Sequence, residues 1–317
     1  MGTSLDAELA RTYDRQGYLL IERLFSAADV ERVNVAIDQI LETPELSSVA
    51  ELEPDDRESV RRIWSPTKRH PVFAEAAADP RLLDIIEQLI GPNILFHYSK
   101  LHMKAARVGS AVEWHQDFSY YPHTNTDLLS AMIYLDDAST ENACLHVLPG
   151  SHKRGLANHY VDGYFRGKLT GAEAPDPAEA VPLEAPAGSV AFVHCLVQHY
   201  SPSNRSEKRR RAFLPTYRAA DAYPIYFGPH ASHNESGIKL LRGRRSEYAR
   251  VEQGNWLLPL AQREFGSLFE LQEGSHLAGT AKTSGYATAG SYAETVAGRS
   301  GEKGRPAAVD AEPCADR

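Results

Sequence analysis

The chain lacks the features that would place it outside the cytosol. Its 317 residues include three cysteines, Cys144, Cys195 and Cys314, whose spacing fits neither a disulfide framework nor a zinc site. No apolar run is long enough to cross a bilayer, and the first residues lack the basic and apolar segments of a signal peptide. Asp6 breaks the myristoylation pattern, and the ending Cys314-Ala-Asp-Arg is not a peroxisomal signal. These absences predict a cytoplasmic protein that does not act at a membrane.

An excess of positive charge is also absent. The chain has 34 Lys and Arg against 42 Asp and Glu, which gives a net charge of −8. A nucleic-acid partner is therefore not expected, because such a partner favours a basic face.

The length of the chain suits one large core. We assign residues 1–273 to a single domain. From Gly274 the sequence is rich in Gly, Ala, Ser and Thr and almost free of large apolar residues, which predicts a disordered tail over residues 274–317. The stretch 154–186 holds four glycines and then four prolines. A loop of this length in a compact domain is usually functional or disordered, so we interpret it as a lid, with a solvated insertion as the alternative.

Helices are predicted near the N-terminus and strands after it. The helices are a short one over 5–15, one that Ser26 and Asp29 begin as a capping box, and one that Asp79 caps. Strands are predicted over 94–104, 111–118, 128–136, 144–147, 189–200 and 209–217. Many short strands indicate a closed or double-sheet structure. We predict a mainly β protein: a double-stranded β-helix (jelly-roll or cupin) core with flanking N-terminal helices.

His115-Gln-Asp117 places an imidazole and a carboxylate two residues apart. In a strand over 114–118 both side chains point to the same side. His199 is the best candidate for a third ligand, because it ends an apolar run over 190–199 that is typical of a buried strand. Two His and one carboxylate on one face of an octahedron hold non-haem Fe(II) and leave three positions open. The alternative for His115 and Asp117 alone is a hydrogen-bonding pair, since 13 His and 42 acidic residues produce some such triplets by chance.

A candidate receptor for a carboxylate follows His199. A turn-rich stretch over 200–208 precedes an extended segment over 209–217, which indicates two antiparallel strands. The returning strand brings Arg210 near His199 and Ser201, and a guanidinium beside a hydroxyl suits a carboxylate. 2-Oxoglutarate chelates iron with its keto-acid end and needs a cation for its distal carboxylate, so we predict it as the cosubstrate.

The alternative for this receptor is a surface role. Arg209, Arg210 and Arg211 can form a solvated basic patch, as charge runs usually do. Alternation sends Arg210 one way and its two neighbours the other, but a slip of one residue in the strand register changes which arginine faces inward.

Taken together, these motifs resemble the phytanoyl-CoA dioxygenase-like family of Fe(II)/2-oxoglutarate oxygenases. The resemblance extends over most of residues 12–220 and rests on Trp114-His-Gln-Asp117, Leu148-Pro-Gly-Ser-His152, His199-x-Ser201 and Arg210. It implies that His115, Asp117 and His199 bind iron and that Arg210 and Ser201 bind the distal carboxylate of 2-oxoglutarate.

The resemblance also suggests a role for Lys104, where similar proteins often carry a residue that lines the cosubstrate pocket. Two positions depart from the family pattern. Asn142-Ala143 stands where Asn-Gly is usual, and Tyr200 stands where Gly is usual. Neither change removes a side chain that the chemistry needs.

The implied activity is hydroxylation of an unactivated C–H bond of a small molecule by O2, with succinate and CO2 as co-products. Related halogenases replace the iron-binding carboxylate with a small residue. Asp117 is retained here, which favours hydroxylation, desaturation or ring closure. The segment after the metal motif supplies candidate substrate contacts, which are Tyr120, Tyr121, His123 and Asn125. Packing at the rim is the alternative for Tyr120 and Tyr121.

Two other functions remain open from the sequence. One is a metal-dependent cupin enzyme that does not use 2-oxoglutarate, which Ser201 and Arg210 disfavour. The other is a non-catalytic ligand-binding barrel, which the complete ligand triad disfavours. Nothing in the sequence identifies the prime substrate, since similar proteins use acyl-CoA thioesters, amino acids, phosphonates and secondary metabolites.

Overall fold

A computed structural model describes residues 7–43, 50–226, 239–260 and 271–272. Within these ranges the helices are α1 (Ala7–Gln16), α2 (Ala27–Leu41), α3 (Pro71–Ala77) and α4 (Pro80–Ile90). The strands are β1 (Tyr18–Ile21), β2 (Ala50–Leu52), β3 (Val60–Trp64), β4 (Ile94–Lys104), β5 (Val112–His115), β6 (Leu128–Tyr134), β7 (Leu145–Val147), β8 (Tyr160–Val161), β9 (Tyr164–Phe165), β10 (Val181–Leu183), β11 (Val190–His194), β12 (His199–Ser201), β13 (Arg210–Ala219) and β14 (Leu240–Arg242). The predicted tail over 274–317 lies outside the described residues.

Two antiparallel sheets form the core. The larger sheet has the strand order β1-β11-β6-β13-β4-β3-β2, with β14 also paired to β4, and the smaller has the order β10-β7-β12-β5. Apolar side chains from both sheets pack into one cluster, including Met132, Val193 and Leu214 from the larger and Val147 and Leu183 from the smaller. The predicted double-stranded β-helix is therefore confirmed.

The N-terminal helices cover the outer face of the larger sheet. Ser26 and Asp29 form the predicted capping box of α2, and the Asp79 side chain accepts a hydrogen bond from a backbone N–H of α4, as predicted. The apolar faces of these helices pack in one cluster with Phe213 and Tyr217 of β13. None of the described helices is long and apolar enough to cross a membrane.

Alternation along β13 sorts its side chains between the two faces of the larger sheet. Phe213 packs with the helices, whereas Ala212 and Leu214 face the smaller sheet. The same alternation directs Arg210 into the space between the sheets. Arg211 points outward, where its Nε donates a 3.0 Å hydrogen bond to Asp136.

Two predicted strands differ from those in the structure. The strand predicted over 111–118 ends at His115, and a 3₁₀ turn over Asp117–Ser119 follows it. The strand predicted over 189–200 is two strands, β11 in the larger sheet and β12 in the smaller. A turn separates them, closed by a 2.9 Å hydrogen bond from the Val197 N–H to the His194 carbonyl. The chain must cross from one sheet to the other at this point, and a continuous apolar run contains no sign of that crossing.

The segment 154–186 packs against the strand that carries the metal motif. It contains β8, β9 and β10, and β10 is an edge strand of the smaller sheet. The Leu169 N–H donates a 2.8 Å hydrogen bond to the Trp114 carbonyl on β5. The segment therefore lies beside the strand of the metal motif, and its role as a lid stays a prediction.

Candidate metal centre and cosubstrate pocket

Three ligand side chains meet between the two sheets. His115 ends β5, Asp117 lies in the turn after it, and His199 begins β12 directly opposite His115 in the antiparallel register. The Nε2 atoms of His115 and His199 lie 3.8 and 4.0 Å from Asp117 Oδ1. One ligand atom from each residue lies within 4.8 Å of the others, which is the spacing that one metal ion requires. The structure thus brings the predicted triad together, with Asp117 placed by a turn rather than by strand alternation.

Both imidazoles are held in the tautomer that suits a metal. His115 Nδ1 donates to the Glu113 carbonyl at 2.7 Å, and His199 Nδ1 donates to the Val197 carbonyl at 2.8 Å. A carbonyl oxygen only accepts, so the proton is on Nδ1 and the Nε2 lone pair is available. Burial lowers the pKa of both His115 and His199 below its ordinary value, so both rings are neutral at neutral pH.

Asp117 is ionised and oriented. Its Oδ2 accepts a 2.9 Å hydrogen bond from Ser130 Oγ, which leaves Oδ1 facing the two imidazoles. Burial raises the pKa of this carboxyl, but the Lys100 ammonium and the hydrogen bond from Ser130 act against burial, and the pKa lies below its ordinary range. Two neutral imidazoles and one carboxylate are the donor set of a non-haem Fe(II) site.

Arg210 and Ser201 lie together, as the predicted carboxylate receptor requires. Arg210 Nη2 donates a 3.0 Å hydrogen bond to Ser201 Oγ, which donates a 3.0 Å hydrogen bond to the Ala143 carbonyl. The buried Nε and Nη1 atoms of Arg210 have no hydrogen-bond partner among the residues that the structure describes. A buried guanidinium with two unpartnered donors fits an anion of the size and geometry of a carboxylate.

The two departures from the family pattern are accommodated beside this receptor. Ala143 adopts a φ of 67°, a left-handed conformation that favours glycine, and its carbonyl still accepts from Ser201. Tyr200 stacks on Trp114 with ring centroids 4.3 Å apart. Both substitutions therefore leave the receptor intact.

Lys104 does not reach the cavity between the triad and Arg210. Its ammonium donates to the backbone carbonyls of Ser110, Ser201 and Pro202, a structural role. The cavity is instead lined on this strand by Lys100 and His102. The expectation that Lys104 lines the cosubstrate pocket is corrected accordingly, because its side chain is occupied at the end of the strand.

The sequence had identified neither Lys100 nor His102 as a residue that lines the cavity. Both lie on the same face of β4 as Lys104, so alternation was the signal that could have found them. Lys100 Nζ lies 3.9 Å from Asp117 Oδ1, and burial lowers the pKa of Lys100, which Asp117 opposes. His102 Nε2 is buried without a hydrogen-bond partner, and burial lowers the pKa of His102 well below its ordinary value, so the ring is neutral.

The four candidate substrate contacts are not among the residues that line the cavity. Tyr120 donates its hydroxyl proton to the Gly167 carbonyl, and Tyr121 is buried beside His123, with ring centroids 6.1 Å apart. Asn125 donates to the Asp221 and Arg250 carbonyls at 3.2 and 3.0 Å. The structure therefore gives them packing and bracing positions behind the site, because the chain turns away from the cavity after Asp117.

Gln116 is a further residue that sequence reasoning did not single out. Its side-chain amide donates to the Gly155 carbonyl at 2.9 Å and to the Leu196 carbonyl at 2.7 Å, and accepts from the Ala157 N–H at 2.8 Å. It thereby joins the metal turn to the segment 154–186 and to the turn before His199. The middle residue of the motif has no sequence signal for this role.

Comparisons with known proteins identify relatives of this chain. The sequence profile of the family Phytanoyl-CoA dioxygenase (PhyH) matches residues 13–212. A probable alpha-ketoglutarate-dependent hypophosphite dioxygenase from Stutzerimonas stutzeri is 32% identical over 84% of this chain and 96% of its own length. An ectoine dioxygenase from Sphingopyxis alaskensis is 30% identical over 79% of this chain and 87% of its own.

Solved structures show the same fold. The crystal structure of EctD from S. alaskensis with bound Fe superposes with a TM-score of 0.61, at 23% identity, over 78% of this chain and 90% of that one. The same protein with 2-oxoglutarate and 5-hydroxyectoine gives a TM-score of 0.58 at 25% identity, over 80% of this chain and 90% of that one.

The chain belongs to the phytanoyl-CoA dioxygenase family. The class predicted from the sequence, a 2-oxoglutarate-dependent non-haem iron dioxygenase, is confirmed, as are its cofactor Fe and its cosubstrate 2-oxoglutarate.

Proposed function

We propose that this dioxygenase hydroxylates an unactivated C–H bond of a small-molecule substrate. The observation that carries the proposal is that one cavity contains both the His-Asp-His cluster and the two unpartnered donors of Arg210. A metal-dependent cupin that works without 2-oxoglutarate, or a non-catalytic barrel, has no use for a buried guanidinium in the lining of the same cavity.

In this proposal His115, Asp117 and His199 hold the iron. Bound iron with 2-oxoglutarate supplies the oxidant: O2 converts 2-oxoglutarate to succinate and CO2, and one oxygen atom enters the substrate C–H bond to give an alcohol. The chain's own residues place the reactants. Arg210 and Ser201 fix the distal carboxylate of the cosubstrate, and Ser130 fixes the orientation of Asp117.

The apolar walls of the cavity exclude water. Val112, Met132, Leu145, Val193 and Leu214 line it between the polar ends. An apolar lining strengthens the electrostatic contacts inside the cavity and leaves few competing hydrogen-bond partners.

A second candidate substrate is hypophosphite, in which the bond oxidised is P–H. It is favoured by the 32% identity to the probable hypophosphite dioxygenase over nearly the whole of that relative. The two candidates differ only in the bond that receives the oxygen atom, so one assay covers both.

The test is a screen for substrate-dependent succinate release. The purified protein is loaded with Fe(II) and 2-oxoglutarate, and hypophosphite and a metabolite library are added in air. We expect a compound that raises succinate release and gains one oxygen atom by mass spectrometry, in the wild type and not in the His199→Ala variant. Succinate release that no compound raises, or a fully active His199→Ala variant, contradicts the proposal.

A further inference from the structure

Lys100 is a cation at the metal end of the cavity. Its side chain is 10% exposed, and its ammonium lies 3.9 Å from Asp117 Oδ1 and 5.6 Å from the centre of the Tyr98 ring. Asp117 Oδ1 is the oxygen that faces both imidazoles, since Oδ2 is bonded to Ser130. A metal ion held by the triad and Lys100 therefore compete for the same carboxylate oxygen.

The other charged groups near Lys100 already have partners. Glu51 is the second carboxylate whose charge acts on Lys100. It is buried and paired with Arg62 at 2.8 Å and Arg61 at 3.4 Å. Among the described residues, neither of those pairs supplies Lys100 with a free anion.

The charges of the loaded site leave Lys100 unmatched. The two positive charges of Fe(II) are balanced by Asp117 and by the metal-chelating carboxylate of 2-oxoglutarate. The positive charge of Arg210 is balanced by the distal carboxylate. One positive charge, that of Lys100, remains, and a buried ammonium without a counter-ion is strongly unfavourable.

Lys100 and Arg210 lie at different positions along the sheet. Arg210 is paired in register with Lys104, whereas Lys100 is paired with Leu214. Four residues of a strand separate the two positions by about 13 Å. The charge at Lys100 therefore serves a different ligand group, located at the metal end.

We propose that the prime substrate is a small anion whose anionic group, a carboxylate or a phosphorus oxyanion, pairs with Lys100. This inference rests on the proposed function, because it concerns the same cavity loaded with iron and 2-oxoglutarate. The metal-chelating carboxylate of 2-oxoglutarate is the other anionic group that could pair with Lys100. The experiment therefore distinguishes the substrate from the cosubstrate as the partner of Lys100.

The experiment compares wild type with Lys100→Met and Lys100→Gln. Lys153→Met is the control, because Lys153 is exposed and does not line the cavity. Anaerobic titrations of the visible iron–2-oxoglutarate band give the cosubstrate affinity. Succinate release in air is measured with hypophosphite, with methylphosphonate and its dimethyl ester, and with propionate and propionamide. Two different substitutions of Lys100 are used so that the test still works if one variant folds poorly.

We expect 2-oxoglutarate affinity within about threefold of wild type in both Lys100 variants, and a loss of anion-stimulated kcat/KM on the order of 100-fold, as for a desolvated charge partner. The wild type should respond to the anions and not to their neutral counterparts. A tenfold or larger loss of 2-oxoglutarate affinity would assign Lys100 to the cosubstrate and overturn the proposal. A neutral compound that stimulates succinate release as well as its anionic analogue would also overturn the proposal. The same holds if the wild type forms the band but no anion stimulates its succinate release. A wild type that forms no band at all contradicts the proposed function instead.

Discussion

Arg210 donates to Ser201 Oγ at 3.0 Å, and its other two guanidinium donor groups have no partner within the described part of the chain. The hydroxyl therefore fixes one edge of the guanidinium fork and leaves the rest for a ligand. A planar fork held in this way discriminates for a carboxylate, which two parallel hydrogen bonds can bind.

Removal of this guanidinium should selectively weaken the binding of 2-oxoglutarate. For Arg210→Ala we expect a loss of about 2–4 kcal/mol in cosubstrate binding, or roughly 30- to 1000-fold in affinity, with Fe(II) affinity much less affected. Arg210→Lys should recover only part of this loss, because an ammonium lacks the fork. The measurement is the 2-oxoglutarate dependence of the visible band under anaerobic conditions.

The neighbouring arginines are the matched controls for Arg210. Arg211 is bonded to Asp136, so Arg211→Ala should lower thermal stability without changing the 2-oxoglutarate dependence. Arg209→Ala, at a largely exposed side chain, should change neither. If Arg209→Ala or Arg211→Ala strongly weakened 2-oxoglutarate binding and Arg210→Ala did not, the register of β13 would be wrong.

Ser130 should control the iron affinity through Asp117. Ser130→Ala removes the hydroxyl that donates to Asp117 Oδ2, and losses of such outer partners typically weaken metal binding by about 10- to 100-fold. Ser130 also lies 3.2 Å from Thr216 Oγ1. Thr216→Val is therefore the control, since it removes that contact and keeps the one to Asp117. Equal Fe(II) affinities for Ser130→Ala and wild type, measured by anaerobic titration, would exclude this role.

Gln116 should contribute to stability rather than to binding. Gln116→Leu removes the partner of the buried Leu196 carbonyl and of two partly exposed groups, the Gly155 carbonyl and the Ala157 N–H. We expect the free energy of unfolding to fall by about 2–4 kcal/mol, since a buried unpaired group costs about 1–3 kcal/mol and the partly exposed groups cost less. Denaturant unfolding measures this. A Gln116→Leu protein as stable as wild type would mean that these three hydrogen bonds contribute little.

His194 should make the fold sensitive to acid. Burial lowers the pKa of His194 to about 3 from an ordinary 6.5. Between these two values the unfolded chain binds the proton and the folded chain does not, so the free energy of unfolding falls as the pH falls below 6.5. At pH 5 this amounts to about 2 kcal/mol from His194 alone. Unfolding curves at pH 7 and pH 5 should show a smaller acid loss for His194→Asn than for wild type, and equal losses would contradict the assignment.

The sequence predicts much of this fold because local signals agree with the tertiary structure. The strand predicted over 94–104 has the same bounds in the structure, Ile94–Lys104. The caps at Ser26 and Asp79 are where they were predicted. Alternation placed Arg210 inside the sheet sandwich because one face of β13 is buried against the smaller sheet, which fixes the register.

The remaining features depend on contacts between distant segments. The turn that separates His194 from His199 exists because the chain crosses from one sheet to the other. The sequence is apolar both before and after this turn, so it gives no signal of where the turn lies. Lys104 and Lys100 lie on the same face of β4, and only the position of the returning strand decides which of them reaches the cavity. The bracing role of Asn125 likewise depends on the Asp221 and Arg250 carbonyls, which are far away in sequence.

The most direct test of the central claim is an anaerobic titration of the metal-free protein with Fe(II) and then 2-oxoglutarate. We expect a weak visible metal-to-ligand band that saturates at one iron and one 2-oxoglutarate per chain. The band should be lost in His115→Ala and His199→Ala, both still folded, and should need much more 2-oxoglutarate in Arg210→Ala. A folded, iron-loaded wild type without the band, or an unchanged band in either His variant, would contradict the assignment of this cavity as the iron and 2-oxoglutarate site.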